Sequence, residues 1–271
     1  KRARAARAAP ARPRSAPRLT SNKPSAVKLE GKLGMTEILS WEASLPHALA
    51  VRDQAVRQFA AIYAATASVR CGARLTWGDE LEYTLMSYGG ALGGEVVCGD
   101  DAPCNLRLSL DAPEVLEELA QDEEEARAGG LPKALGGDWH PEYARWMVEA
   151  TPSVPYGSGE KDLLGCEANL AARRRRMAAV LAARAGGAPA TPDAGGAFAL
   201  SVTAYPLLGV APHSSPPAPA RGERAPVSGS LTLGDEAIMS NPRFRALTAN
   251  IRARRGRPIA ARVPADARAE A

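Results

Sequence analysis

The chain has 271 residues, 45% of them hydrophobic but only 5% aromatic, and a net charge of +4. That length can bury one substantial core and at most two, from a supply of bulky residues thinned by alanine. No apolar run approaches the roughly 18 to 20 residues that span a bilayer, which excludes a membrane-spanning helix.

The charge is unevenly spread. Lys1 to Lys28 hold nine Lys and Arg and no acid, and removing those nine from the net +4 leaves −5 for the rest. Residues 1–33 read as a disordered basic arm. An acid-free stretch rich in Arg, Ala, Pro and Ser has the composition of an organelle transit peptide. A tail that touches nucleic acid, or an untranslated leader, would share it. The chain starts at Lys1 rather than Met. The expected location is cytoplasmic, or organellar (plastid or mitochondrion) if the arm is a transit peptide.

Ala50 to Tyr63 predicts an amphipathic helix with Val51, Ala55, Phe59, Ile62 and Tyr63 on one side. Pro46 would lie in its first turn, with Ser44 as the cap. The run Trp77-Gly78-Asp79-Glu80-Leu81-Glu82-Tyr83 then opens a strand. Side chains alternate along a strand, so Glu80 and Glu82 point the same way, about 7 Å apart. Thr84 shares their face, and Leu81, Tyr83 and Leu85 fill the other, which should meet a core. Two carboxylates on a strand with an apolar back suit a hard cation such as Mg²⁺. A solvated acidic face would look the same.

Gly89-Gly90 begins a loop, and Leu106 to Leu110 returns as the partner of a hairpin. Pro113 to Ala128 predicts an acidic helix whose Asp122-Glu123-Glu124-Glu125 run reads as a solvated face rather than a metal site. Residues 144–149 predict a short strand with Trp146 and Val148 on one side and Glu149 on the other. Glu142 lies just before it, after a proline that favours extended entry. If the two strands are neighbours, Glu80, Glu82, Glu142 and Glu149 line one concave polar surface.

Leu163 to Arg184 predicts a helix stopped by Gly186-Gly187. At 100° per residue, Leu163, Cys166, Leu170, Met177 and Leu181 form a stripe that includes Arg173 and Arg174 and leaves out Arg175 and Arg176. An arginine in such a stripe needs a partner. Either an acid of this chain or a phosphate or carboxylate ligand would serve.

Disordered loops are expected near residues 186–196 and 211–228, the second rich in Pro, Ala and Ser. Between them, Phe198 to Tyr205 predicts a strand. Asp235 should cap a short helix ending before Pro242, and Phe244 to Arg254 should form another. Arg252, Arg254 and Arg255 read as a solvated helix end favoured by the helix dipole, with a second phosphate-binding patch as the alternative. Cys71, Cys98, Cys104 and Cys166 have no metal spacing, and neither do His47, His140 and His213. Free thiols are expected, with a reversible Cys98–Cys104 disulfide conceivable.

Several blocks in order resemble the catalytic subunits of the animal and fungal type of glutamate–cysteine ligase. They are Leu39-Ser40-Trp41-Glu42, Trp77 to Tyr83, Pro141-Glu142-Tyr143, Met147 to Pro152, Pro155-Tyr156-Gly157, Glu167-Ala168-Asn169 and Arg173-Arg174. Asp235 to Ile238, Asn241 to Phe244, Asn250-Ile251-Arg252, Arg254-Arg255-Gly256 and Val263-Pro264 continue the series. The resemblance implies an α+β, glutamine synthetase-like fold: a curved, mainly antiparallel sheet forming a funnel, with outer helices. It implies Mg²⁺- and ATP-dependent joining of the glutamate γ-carboxylate to the cysteine amine through a γ-glutamyl phosphate, the first step of glutathione synthesis. It further implies Glu80, Glu82, Glu142 and Glu149 as Mg²⁺ ligands, Arg173 as the catalytic arginine and Arg174 as a substrate- or phosphate-binding residue. The implied partners are glutamate, cysteine and ATP, with a modifier subunit conceivable and neither nucleic acid nor membrane expected.

Catalytic subunits of that family are much longer. Residues 34–264 therefore correspond to the amino-terminal part of the catalytic domain, followed by a tail at 265–271. The sheet is expected to be incomplete and the piece inactive alone. The alternative is a non-catalytic module that binds Mg²⁺–nucleotide or a regulatory subunit.

Overall fold

A computed structural model describes residues 38–68, 74–88, 97–98, 102–103, 106–192, 194–210, 212–217 and 232–257. The basic arm, the tail, Cys71, Cys104 and the Gly89-Gly90 turn lie outside these residues.

The fold is mixed α/β, with one six-stranded sheet built around β1 (Leu81–Tyr88). Through its first half β1 pairs antiparallel with β6 (Met147–Pro152). Its second half pairs antiparallel with β4 (Leu106–Ser109), as the hairpin reading expects, and with β7 (Gly196–Leu200). β5 (Gly137–Pro141) extends the sheet beyond β6, and the two-residue β8 (Ser214–Ser215) runs parallel to β4. A separate small ribbon joins β2 (Val97–Cys98) to β3 (Ala102–Pro103).

The two-residue alternation of β1 decides which face is dry. Tyr83 lies opposite Val148, and Leu81 opposite Ala150, which in turn faces Trp139 of β5. These residues and Leu85 meet α2 (Ala112–Ala128) through Val115 and Leu119, and α3 (Glu160–Arg184) through Met177, Val180 and Leu181. Each buried aliphatic contributes about 1.5 to 3 kcal/mol against exposure, so this cluster is the main source of stability. On the opposite face, a smaller cluster of Leu108, Leu233 and Ala237 with Trp146, Tyr205 and Leu208 covers the β4 end and leaves the Glu82 end uncovered by it.

α1 spans Trp41–Thr66 and begins well before Ala50. Ser40 is its cap, accepting the Ala43 amide at 3.2 Å, while Ser44 bonds back to the Trp41 carbonyl at 2.7 Å. Pro46 lies inside the helix, past the first turn, where it removes the amide that would bond the Glu42 carbonyl and crowds that carbonyl. None of its residues is buried, and Phe59 is 69% exposed. Periodicity reports a face able to bury, not one that the described residues cover. The nearest neighbour is α4 (Pro242–Arg255), whose Asn250 donates to the Leu39 carbonyl at 3.2 Å.

Within α2 the acidic run is not wholly solvated. Val115, Leu119 and Glu123 recur four residues apart on one face, so Glu123 turns inward and is 4% exposed. It accepts from Arg127 at 3.0 Å and pairs with Arg176 at 3.2 Å. The core face of α3 is rotated from the expected stripe. Asn169, Ala172, Arg173, Met177, Val180 and Leu181 are buried, whereas Leu163 and Arg174 are exposed. Arg176 takes the inward place assigned to Arg174, paired with Asp122 at 2.7 Å. Anchoring the stripe on Leu163, an exposed residue, displaced it.

The strand expected over 144–149 forms at Met147–Pro152. Trp146, preceding it, packs in the smaller cluster rather than beside Val148. β7 stops at Leu200; Tyr205 lies in a turn and donates to the Leu106 carbonyl at 2.7 Å. Within the Pro/Ala/Ser-rich stretch, Ser214–Ser215 pairs in the sheet, and residues 218–231 lie outside the described set. The turn after α3 follows Gly186 and Gly187, with φ of 79° and 93°, and closes through paired Thr191 and Gly195 amides and carbonyls. Asp235 is not a cap; it is the buried first residue of a short 3-10 turn, Asp235–Ala237. α4 is capped by Asn241, which accepts the Arg243 amide at 3.0 Å.

Candidate active site

The alternation that sends Leu81, Tyr83 and Leu85 into the core sends Glu82 and Thr84 to the other face. Glu82 stands directly opposite Glu149 in the β1–β6 ladder, and Glu149 is directly opposite His140 of β5. Glu80 precedes β1 by one residue, and Glu142 follows β5 by one. The two strands expected to be neighbours are neighbours, and Glu80, Glu82 and Glu142 all act on Glu149. Glu149 is held up at about 7, well above the ordinary carboxylate value of 4.5. Burial is the main cause, followed by a hydrogen bond with Glu142 and repulsion from Glu80, Glu142 and Glu82. Among the described residues, no Lys or Arg forms an ion pair with any of the four.

Among the described residues this negative charge has no ion-pair partner, and the four carboxylates present it through oxygen donors. Hard divalent cations take such donors, so the set fits Mg²⁺ in charge and chemistry. Among the described residues, no three His, Cys, Asp or Glu side chains already converge to hold an ion. Closing such a shell therefore requires side-chain rotation. His140 shares the face, with Nε2 3.3 Å from Thr151 Oγ1.

Behind the acids lies a buried polar lattice. Arg173 is 0% exposed. Its guanidinium donates to Asn169 Oδ1 at 2.8 Å, to the Ala150 carbonyl at 2.6 Å and to Asp79 Oδ1. Asp79 Oδ2 accepts from Tyr156 Oη at 2.8 Å. Burial, and then the Asp79 hydrogen bond, push the Tyr156 phenol well up. Asn169 donates to the Ala134 and Gly136 carbonyls at 2.9 and 3.0 Å. Trp77 completes the lattice, with Nε1 on the Gly157 carbonyl at 2.9 Å and its ring 4.7 Å from that of Tyr156. The segment that delivers Glu80 and Glu82 is thus riveted to α3 and to the β6–α3 turn.

The two candidate partners for a stripe arginine are resolved here for Arg173: its charge meets an acid of this chain. Arg174 is exposed on the outer side of the same helix. The sequence pattern alone assigns no working role to Asp79, Tyr156 or Asn169. An inward-facing arginine signals that some carboxylate must meet it, and the fold selects Asp79, which adjoins the first site glutamate. The passage of Arg173 depends on Gly137, where a Cβ would lie 3.0 and 3.1 Å from the Arg173 Cγ and Cδ. Gly137→Ala is therefore expected to destabilise the fold by about 1 to 3 kcal/mol, the usual cost of overpacking. Urea unfolding of the variant beside the parent chain measures it.

A family model for glutamate-cysteine ligase matches residues 31–269. The chain belongs to the glutamate–cysteine ligase family. The mouse glutamate–cysteine ligase catalytic subunit is 35% identical over 235 residues, which are 86% of this chain and 32% of that protein. The human catalytic subunit is 33% identical over 234 residues, again 86% and 32%. Glutamate–cysteine ligase of Dictyostelium discoideum is 30% identical over 226 residues, 83% of this chain and 30% of its own length. The chain thus spans about a third of the length of the curated relatives it matches. No helix of the described residues is long and apolar enough to cross a membrane.

Proposed function

We propose that this chain forms the metal-holding front of a glutamate–cysteine ligase. In this reading the sheet is the start of a glutamine synthetase-like funnel. The observation that carries it is the Glu149 carboxyl, opposite Glu82 in the ladder and held up first by burial and then by three neighbouring carboxylates, with none of which a Lys or Arg of the described residues forms an ion pair. Glu80, Glu82, Glu142 and Glu149 would hold Mg²⁺. When bound, the ion offsets the charge of ATP and of a transferring phosphoryl group.

The ligation proceeds in two balanced steps. An oxygen of the glutamate γ-carboxylate attacks the ATP γ-phosphorus, and the bond to ADP breaks, giving γ-glutamyl phosphate and ADP. The cysteine amine then attacks the γ-carbonyl carbon. The C–O bond to phosphate breaks, phosphate departs with its electron pair, and the amine releases a proton. The chain's own share is to present four carboxylates, Glu82 and Glu149 from paired strands and Glu80 and Glu142 from beside the strand ends, which is positioning rather than covalent chemistry. Arg173 acts as a positioning residue for the Asp79–Glu82 segment. Arg174, exposed on α3, is free to meet substrate or phosphate.

A protein of the relatives' length is the proposed unit of turnover, and the 271-residue chain the metal-binding part. The test is ADP release by a family-length protein containing this region. It should need glutamate, cysteine and Mg²⁺ together, and Glu82→Gln should lower it by at least about a hundred-fold, about 2.7 kcal/mol of lost barrier lowering. Full activity in Glu82→Gln sinks the metal assignment. Nucleotide binding by the family-length protein without ADP release supports the second reading, a non-catalytic Mg²⁺–nucleotide module.

A further inference from the structure

The four glutamates are not held by equivalent means. Glu82 and Glu149 sit within paired strands, their backbones fixed by the ladder. Glu142 lies beyond the end of β5, in the turn leading to β6, where no strand partner fixes it. That turn is clasped by a segment about a hundred residues later in the chain. The Met239 amide donates to the Tyr143 carbonyl at 2.9 Å, and the Arg145 amide donates to the Ala237 carbonyl at 2.8 Å. Ala144 and Ile238 form an antiparallel bridge.

The side chain of Tyr143 then reaches α4. Its hydroxyl lies 2.6 Å from Thr248 Oγ1, and its ring meets Phe244 edge-on at 5.9 Å. Thr248 Oγ1 itself donates to the Phe244 carbonyl at 3.2 Å. With that proton committed, the threonine oxygen accepts and Tyr143 donates. On the other side of the same residue, the Tyr143 amide lies 3.4 Å from Glu142 Oε2. Tyr143 is thus tied to α4 through its phenol and to the Glu142 carboxylate through its backbone.

We propose that Tyr143 and Thr248 are positioning residues for Glu142, fixing the β5–β6 turn so that its carboxylate meets a divalent cation together with Glu149. Neither residue touches the ion. The inference rests on the metal reading above. It also explains why α4, with no buried residue of its own, is part of the working unit. Outer partners of metal ligands act by setting ligand orientation, and their loss typically weakens binding about 10- to 100-fold.

The test titrates the 271-residue chain with Mn²⁺, reading free Mn²⁺ by its paramagnetic resonance signal, with thermal unfolding of each variant alongside. Tyr143→Phe keeps the ring and removes the donor. Thr248→Val keeps the shape and removes the acceptor. Both should weaken Mn²⁺ binding about ten-fold, while Thr248→Ser, which retains the hydroxyl, should stay near the parent value. Glu142→Gln is the reference. The inference is overturned if Tyr143→Phe and Thr248→Val bind Mn²⁺ like the parent, even with lowered unfolding temperatures, while Glu142→Gln binds weakly. Unchanged binding in Glu142→Gln removes Glu142 from the ligand set and the inference with it. A parent chain that takes up no Mn²⁺ overturns the metal reading itself.

Discussion

Arg173→Ala is expected to cost about 3 to 5 kcal/mol of folding free energy, the range for removing one partner of a buried ion pair. The residue is fully buried, and the mutation would leave Asp79 without its cation. Asn169 Oδ1 and the Ala150 carbonyl would each lose a donor. The pair is weak evidence of net stability by itself, because desolvating two charges offsets much of their attraction. The cost of breaking it is another matter, since Asn169 is buried and Asp79, 21% exposed, is only partly reached by water. Arg173→Lys should recover only part of the loss, because one ammonium cannot reproduce a planar fork aimed at three acceptors. Arg174→Ala, on an exposed neighbour, should stay within about 0.5 kcal/mol. Urea unfolding in the presence of a chelator separates these outcomes. A parent-like midpoint in Arg173→Ala would show that the lattice is not what holds the Asp79–Glu82 segment. Combining Asp79→Asn with Arg173→Ala should cost less than the sum of the two single changes, since the second removes a partner already lost.

The acidic face was legible because a strand has an integer period. Leu81, Tyr83 and Leu85 could only be apolar on one side if Glu80, Glu82 and Thr84 shared the other. The pairing of β1 with β6 then placed Glu149 opposite Glu82 without further assumption. A helix offers no such certainty. With 3.6 residues per turn, an error of one residue in the anchor of a stripe turns it by 100°. That is how Leu163 drew Arg174 inward and sent Arg176 out. Glu123 departs from a solvated face for a related reason, since a run of four acids spans more than one turn of α2 and one member must face the core. The Arg173 partner required knowing which loop passes above α3, a tertiary fact. The clasp between Tyr143 and Thr248 likewise joins residues 105 positions apart, beyond the reach of any local pattern.

Glu149→Gln is expected to stabilise the metal-free chain and to weaken its metal binding, two opposite effects of one substitution. The Glu149 carboxyl titrates near 7 when folded, against an ordinary value of 4.5. A folded carboxyl with a raised pKa binds its proton more tightly than the unfolded chain does. Its favourable contribution is complete below about 4.5 and is lost as pH rises through about 7. In a chelator, the stability of the parent chain should therefore fall, relative to Glu149→Gln, between pH 4.5 and 7.5 or so, then level off. Because this carboxyl is only half-buried, solvent screening reduces the effect to about 1 kcal/mol. Excess Mg²⁺ should reverse the order. A ligand that binds only the folded state adds stability that grows with concentration over Kd, and the parent chain has the extra carboxylate to bind it. Binding must also displace the Glu149 proton, so Mg²⁺ affinity should decline as pH drops below 7 in the parent and change less in Glu149→Gln. Chemical unfolding at pH 5, 6, 7 and 8, with chelator and with Mg²⁺, reads all of this at once. If Mg²⁺ stabilises both proteins equally, Glu149 is not a ligand. If the chelator curves run parallel, the four carboxylates do not share the strain that their placement on one face implies. Either result would return the acidic face to a solvated surface, while the crossing of the two curves would mark it as a site that gives up stability to hold a cation.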